Sequence, residues 1–91
     1  MGDLIRNEVT LKNKYGLHAR PATLIAQTAK PFDCSISLEK DGTKVDAKSI
    51  FGMLTLAAES GAKLIICAEG NDATEAVAKL SEVIESFDVE D

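Results

Sequence analysis

The chain has 91 residues, 45% of them apolar and 27% charged, which is the balance of a globular domain rather than a disordered chain. This length supports one hydrophobic core, so we expect a single domain over residues 1–91. The net charge of −5 and the lack of Trp disfavour nucleic acid as a partner, and the longest apolar runs fall short of the ~18 residues that a membrane-spanning helix needs.

Hydrophobic periodicity divides the first half of the chain into a strand, a helix and a hairpin. Pro21 stands in the first turn of the predicted helix, where its missing N–H costs nothing, and Pro31 ends that helix. Asp41-Gly42 is typical of the turn in a two-stranded hairpin. The predicted elements are a strand over residues 5–11, a helix over residues 19–29, and strands over residues 34–39 and 43–46.

The second half is predicted to contain two helices separated by a strand. Ser49 stands where it can cap the first of these helices, and Asp72 and Glu75 have the spacing of a capping box at the start of the second. Residues 88–91 are expected to form a frayed acidic tail. The predicted elements are a short helix from residue 50 that closes near Gly61, a strand over residues 63–69 and a helix over residues 73–87.

The order βαββαβα indicates an α+β sandwich, in which helices cover one face of a small antiparallel sheet. The other face is left open to solvent. In the strand over residues 63–69, either Ile65 and Cys67 or the residues that alternate with them must lie on that open face. On the open face, Cys67 would expose its thiol to oxidation.

The single histidine, His18, lies between a glycine loop and the start of the first helix. The first turn of a helix presents N–H groups without intrahelical partners and a partial positive charge, which together bind anions such as phosphate. The same field favours a neutral imidazole, whose free nitrogen is a nucleophile. The N–H groups of Ala19 and Arg20 can receive the oxygens of a phosphoryl group on the ring, and the Arg20 guanidinium matches such a group in shape. These residues indicate a histidine that is reversibly phosphorylated.

Other chemistries find less support, although a lone histidine before a helix is also common as an ordinary surface or capping residue. One His and two distant Cys cannot assemble a usual zinc site, and we expect neither a metal nor a cofactor. The nucleophile-elbow, P-loop, dinucleotide-binding and HExxH motifs are absent, so we do not expect a stand-alone enzyme. No signal peptide is visible, which makes the cytoplasm the expected location.

Two stretches of the sequence stand out as motifs. One is Gly16-Leu17-His18-Ala19-Arg20-Pro21-Ala22, and the other is Lys48-Ser49-Ile50-Phe51-Gly52-Met53. The first resembles the active-site signature, and the second the signature around the regulatory serine, of HPr, the histidine-containing phosphocarrier family of the bacterial phosphoenolpyruvate-dependent sugar phosphotransferase system. The interval between them, the chain length and the element order are similar too, so the resemblance covers essentially the whole chain.

The resemblance implies a phosphocarrier with an open-faced β-sandwich fold, four antiparallel strands and three helices on one face. Enzyme I would pass a phosphoryl group from phosphoenolpyruvate to Nδ1 of His18, which would pass it on to IIA components of sugar permeases. Arg20 would stabilise the phosphoryl group and help in its transfer. Members of the family generally act as monomers, and we expect the same here.

Ser49 has two interpretations. As a helix N-cap it contributes about 1 kcal/mol to helix stability and needs no other role. In some members of the family, the matching serine is phosphorylated by an HPr kinase/phosphorylase, which makes Ser49 a candidate regulatory residue. A phosphate there would place roughly two negative charges beside the docking surface and so oppose Enzyme I.

The short middle helix carries more apolar residues than one buried face needs. This surplus is consistent with a contact patch for partner proteins, and equally with core packing. Ile50 and Phe51 are the two residues of this helix that we expect to be partly exposed. The candidate docking residues are Leu17, Ala19, Thr23, Ile50, Phe51 and Leu54.

Two alternatives stay open. One is NPr, the carrier of the nitrogen-related branch, although Pro21 favours the sugar carrier. The other is a purely regulatory binding module of the Crh type. His18 argues against that module, because proteins of this type lack the active histidine.

Overall fold

Four strands form one antiparallel sheet with the strand order β1-β4-β2-β3, and three helices pack on one side of it. The computed structural model describes residues 3–87, so the expected tail over residues 88–91 lies outside the described residues. None of the helices within residues 3–87 is long and apolar enough to span a membrane. The strands are β1 (Asp3–Thr10), β2 (Ser35–Lys40), β3 (Thr43–Asp46) and β4 (Lys63–Gly70), and the helices are α1 (Ala19–Ala29), α2 (Ile50–Leu54) and α3 (Ala73–Glu85).

The predicted fold class is confirmed. The alternation of residues in β4 shows how the two faces of the sheet differ. Leu64, Ile66 and Ala68 are buried beneath the helices. Ile65 and Cys67 point to the opposite, open face, because successive residues of a strand alternate between faces. The expectation that the Cys67 thiol would be exposed is wrong, since only 7% of this residue is accessible.

Asn7 is a polar residue on the otherwise apolar face of β1. Its Nδ2 donates a hydrogen bond of 2.8 Å to Oγ of Ser81 in α3. The amide therefore has a partner across the layer, and this bond joins the first strand to the last helix.

The hairpin turn is confirmed, with both central residues in the left-handed region. Asp41 has φ +51° and Gly42 has φ +85°. Positive φ values at both positions match the right-handed twist of the flanking strands. The turn pairs Lys40 with Thr43 and brings β3 to one edge of the sheet.

Helix α2 is shorter than the sequence predicted. It was expected to close near Gly61, but it ends at Leu54. Beyond that residue, the amides of Leu56 and Ala57 donate to carbonyls three residues back, and Ala57 adopts φ +51°. A left-handed residue stops the helical path, so the chain leaves the helix at this point.

Helix α3 begins at the predicted place, but the predicted capping box is wrong. Asp72 is its N-cap residue, yet its side chain makes no bond to the first turn of α3. The carboxylate instead accepts hydrogen bonds from the backbone N–H groups of Asp33, at 2.9 Å, and Cys34, at 3.0 Å. The Asp72 carboxylate thus bonds to two amides just before β2 and connects that segment to the start of α3.

The loop that precedes α1 lies directly against the loop that follows α2. Gly16 has φ +68°, and a Cβ atom at this position would lie 2.3 Å from the carbonyl oxygen of Ala58. The next amide, that of Leu17, donates to the same oxygen at 2.9 Å. Only glycine allows this close approach, which fixes the start of α1 relative to the end of α2.

Replacing Asp72 by Asn should destabilise the fold in a pH-dependent way. The hydrogen bonds from the Asp33 amide and the Cys34 side chain lower the pKa of Asp72 below its usual value. A lowered pKa in the folded state contributes stability above the unfolded pKa of about 4, and this contribution is lost as the pH falls through the folded pKa. Urea unfolding should show a lower midpoint for Asp72→Asn than for the wild type at pH 7, with the difference closing in acid. Asp41→Asn, in the exposed hairpin turn, serves as control, and a constant difference at every pH would contradict the prediction.

Replacing Gly16 by Ala should cost more stability than replacing Gly42 by Ala. Both glycines have positive φ, so each substitution carries a conformational cost of about 1 kcal/mol. A Cβ at Gly42 meets nothing within 4 Å, whereas one at Gly16 collides with backbone. We therefore expect Gly16→Ala to lose roughly 2 kcal/mol more than Gly42→Ala in denaturant unfolding. Equal losses for the two variants would show that the contact with Ala58 relaxes freely.

Candidate functional site

His18 is the N-cap residue of α1, and its side chain is not used for capping. The backbone is extended, with φ −96° and ψ −170°, and the imidazole makes no capping hydrogen bond. The His18 carbonyl accepts from the Ala22 amide at 3.0 Å, and the His18 amide donates to the carbonyl of Gly16 at 3.0 Å. The main chain therefore starts the helix while the imidazole stays available for chemistry.

The first turn of α1 has the features of an anion-binding helix terminus. Ala19 and Arg20 are its first two residues, and both are exposed. Pro21 follows and is buried, so it anchors the turn without offering an N–H group. The first turn contains no acidic side chain to oppose an anion. The partial positive charge of this helix terminus and the presence of a guanidinium at Arg20 suit the oxygens of a phosphoryl group in charge.

The two ring nitrogens of His18 have different surroundings. Nε2 is buried and has no hydrogen-bond partner within residues 3–87. The Tyr15 ring stands edge-on to the imidazole, with centroids 6.0 Å apart and an interplanar angle of 86°, and Lys14 Nζ lies 5.3 Å from the Tyr15 ring centroid. Packing rather than hydrogen bonding thus orients the imidazole. The contact with Tyr15 was not predicted, since its one signal in the sequence is an aromatic residue in a short loop before the histidine.

Ser49 caps α2 as predicted. Its Oγ accepts a hydrogen bond of 3.0 Å from the Gly52 amide, and its carbonyl accepts from Met53. A Cβ at Gly52 would come within 3.3 Å of that hydroxyl oxygen, so a larger residue there would have to displace the capping side chain by a few tenths of an ångström. Ser49 is half-buried. The regulatory role of Ser49 stays a prediction.

The candidate docking residues differ widely in how much side chain they offer. Phe51 is 81% exposed, and Ile50 and Leu54 are half-buried. Leu17 is only 5% exposed and belongs to the core, which leaves little of its side chain for a partner. Ala19 and Thr23 present exposed or half-exposed surface on α1, which packs against α2.

Two further large hydrophobic residues, one in the loop before α1 and one on α1 itself, are exposed. Tyr15 lies beside His18, and Leu24 lies on α1. Sequence analysis did not include either of them. Leu24 occupies a position adjacent to the buried stripe of α1, so periodicity alone left its exposure unsettled.

The cysteines do not form a second reactive centre. Both are free thiols and buried. Burial, together with a side-chain hydrogen bond to Asp72, raises the pKa of Cys34 to about 11, so this thiol stays protonated near neutral pH. Within residues 3–87, no group of three or more His, Cys, Asp or Glu side chains is placed to hold a metal ion.

Comparison with known proteins assigns the chain to a family. A family model described as "PTS HPr component phosphorylation site" matches residues 5–86. The phosphocarrier protein HPr of Borreliella burgdorferi is 44% identical over 84 residues, which cover 92% of this chain and 98% of the relative.

Solved structures agree with this assignment. An HPr from Thermoanaerobacter tengcongensis superposes with a TM-score of 0.86 at 46% identity, covering 90% of this chain and 92% of that one. Crh of Bacillus subtilis, whose structure is described as a dimer with a swapped domain, superposes with a TM-score of 0.73 at 42% identity, covering 89% and 93%. With a family model over most of its length and an HPr at 44% identity, the chain belongs to the HPr family of the phosphotransferase system.

Proposed function

We propose that this chain is a phosphocarrier in which His18 receives a phosphoryl group from phospho-Enzyme I and passes it to IIA components of sugar permeases. The observation that carries the proposal is the position of His18 at the N-terminus of α1, with an imidazole that makes no capping bond. The site therefore combines a nucleophile with backbone groups that receive the transferred oxygens.

Nδ1 is the nitrogen that takes the phosphoryl group. Nε2 is buried without a partner among residues 3–87, so this side of the ring has no space for three further oxygens. During transfer, the Nδ1 lone pair attacks phosphorus as the bond from phosphorus to the donor breaks, and the donor keeps that electron pair. The onward step reverses this exchange, with the IIA component as the new acceptor.

Arg20 and the first amides of α1 stabilise the transferred group. Ala19 and Arg20 lie at the positive end of the helix, where their N–H groups would receive the phosphoryl oxygens, and the Arg20 guanidinium would supply a positive charge to the same group. This chain alone performs no net reaction, because it needs Enzyme I as donor and a IIA component as acceptor. It acts as a monomeric cytoplasmic protein without a cofactor.

Ser49 is proposed as the regulatory residue, the substrate of an HPr kinase/phosphorylase. Its hydroxyl lies at the start of α2, next to the strongly exposed Phe51. A phosphate on this oxygen would add about two negative charges beside the apolar docking residues. Docking of Enzyme I would then require these charges to be desolvated, which opposes the transfer to His18.

Two other assignments are separated from this one by experiment. An NPr-type carrier would take its phosphoryl group from the Enzyme I of the nitrogen branch. A regulatory module like the Crh relative would act through Ser49 alone, but the presence of His18 favours the carrier.

Incubation with phosphoenolpyruvate and Enzyme I should add one phosphoryl group to the intact protein. Mass spectrometry under mildly alkaline conditions measures this gain, which acid treatment should remove, because a phosphohistidine is acid-labile. His18→Ala should gain nothing under the same conditions. Parallel reactions with the Enzyme I of the sugar branch and of the nitrogen branch identify the branch. A folded wild-type protein that accepts nothing from either donor would refute the carrier function.

A negative charge at Ser49 should slow phosphorylation by Enzyme I without unfolding α2. Asp and Asn are both good N-caps and are nearly equal in shape, so comparing Ser49→Asp with Ser49→Asn isolates the charge. We expect Ser49→Asp to lose roughly tenfold or more in kcat/KM with Enzyme I. This loss corresponds to one unfavourable contact of about 1.4 kcal/mol. Ser49→Asn should stay near the wild type. Equal rates for Asp and Asn would remove the electrostatic basis for regulation at this residue.

A further inference from the structure

Asn13 is a fully buried polar residue in the loop before His18. Its exposed fraction is 0%, although it lies between two exposed lysines, Lys12 and Lys14. A buried carboxamide is unfavourable unless its polar atoms are bonded, and so its place in the interior calls for a specific partner. That partner is a backbone group of the loop that joins β1 to α1.

Asn13 closes this loop with both its side chain and its main chain. Nδ2 donates to the carbonyl oxygen of Gly16 at 2.6 Å. In the opposite direction, the Gly16 amide donates to the carbonyl of Asn13 at 3.2 Å. The side-chain bond is buried, so water does not replace it easily.

The Gly16 carbonyl that Asn13 holds is also bonded to His18. This oxygen accepts the His18 amide at 3.0 Å, and a carbonyl oxygen has two lone pairs. The N–H group of the same peptide unit belongs to Leu17 and donates to Ala58 at 2.9 Å. Every polar atom of this planar unit is thus bonded, and Asn13 supplies the only side-chain bond to it within residues 3–87.

We propose that Asn13 is a positioning residue for phosphoryl transfer at His18, an inference that rests on the proposed function. By fixing the Gly16–Leu17 peptide unit, the Asn13 amide holds the His18 backbone, and with it the imidazole, in front of the first turn of α1. Asn13 touches neither the phosphoryl group nor the partner protein. Its contribution is the pre-ordered geometry of the nucleophile.

The test measures the reactivity of His18 with a small phosphoryl donor, phosphoramidate, and separately with Enzyme I. In the first reaction, Nδ1 attacks phosphorus, the P–N bond of the ammonium form of the donor breaks, and ammonia leaves with the electron pair. This donor needs no docking surface, so its rate reports the reactivity of the imidazole alone.

Asn13→Ala should react about tenfold or more slowly than the wild type with phosphoramidate. With Enzyme I, it should lose a similar factor in kcat at an unchanged KM, because no docking residue is altered. The matched control is Asn7→Ala, which removes an amide-to-hydroxyl bond of 2.8 Å outside the loop. Asn7→Ala should lose stability but keep wild-type rates with both donors.

Wild-type rates for folded Asn13→Ala would overturn the inference, as would equal slowing in Asn7→Ala. If Asn13→Ala does not fold, Asn13→Leu keeps most of the volume, removes the donor and buries no charge, and the same loss of rate is expected of it. Hydrogen exchange on the wild type adds an independent measurement: the Leu17 and His18 amides should be protected, and exchange at unfolded-chain rates would contradict a fixed peptide unit. A wild type that reacts with phosphoramidate but with neither Enzyme I refutes the proposed function, while the phosphoramidate rates still decide the role of Asn13.

Discussion

The structure of the site depends on one peptide unit, the one between Gly16 and Leu17. Its oxygen is bonded to Asn13 and to the His18 amide, and its N–H is bonded to Ala58. These bonds attach the start of α1 to the loop after α2, so the helix that carries the histidine cannot shift without breaking buried hydrogen bonds. The glycine is required because Ala58 leaves no space for a Cβ atom. Held in this way, the proposed nucleophile His18 would lose little conformational freedom in accepting a phosphoryl group.

Most of the fold could be predicted from the sequence, because its elements follow strong local signals. The helix over residues 19–29 has its predicted bounds, since an apolar stripe and two prolines agree on them. The predicted hairpin turn at Asp41-Gly42 and the predicted cap at Ser49 are also confirmed. Both could be predicted because each depends on residues that are neighbours in the chain. The predicted end of α2 was wrong. The helix is ended by Ala57, whose backbone adopts a left-handed conformation that an alanine side chain does not predict.

What the sequence could not supply are contacts between residues that are distant in the chain. Asp72 has a good capping position, yet its carboxylate binds amides at residues 33 and 34, which only the tertiary fold brings near. Cys67 lies on the open face as alternation allows, but neighbouring side chains bury it. The same holds for the site. The sequence motif and its place at a helix start are enough to predict His18 and Arg20 as candidates. The buried hydrogen bond from Asn13 and the edge-on contact of Tyr15 become visible only in the folded structure.

The pairing of the first strand with the fourth has a consequence for how the protein is made. Within the sheet of residues 3–87, β4 is the one strand that pairs with β1, so the N-terminal strand has no strand partner until residues 63–70 have been synthesised. The loop before His18 likewise waits for Ala58. Long sequence separations of this kind delay the ordering of the chain during folding. His18, the proposed site of phosphorylation, is therefore translated early but becomes structured late, so a nascent chain has little ordered site to offer before β4 has been synthesised.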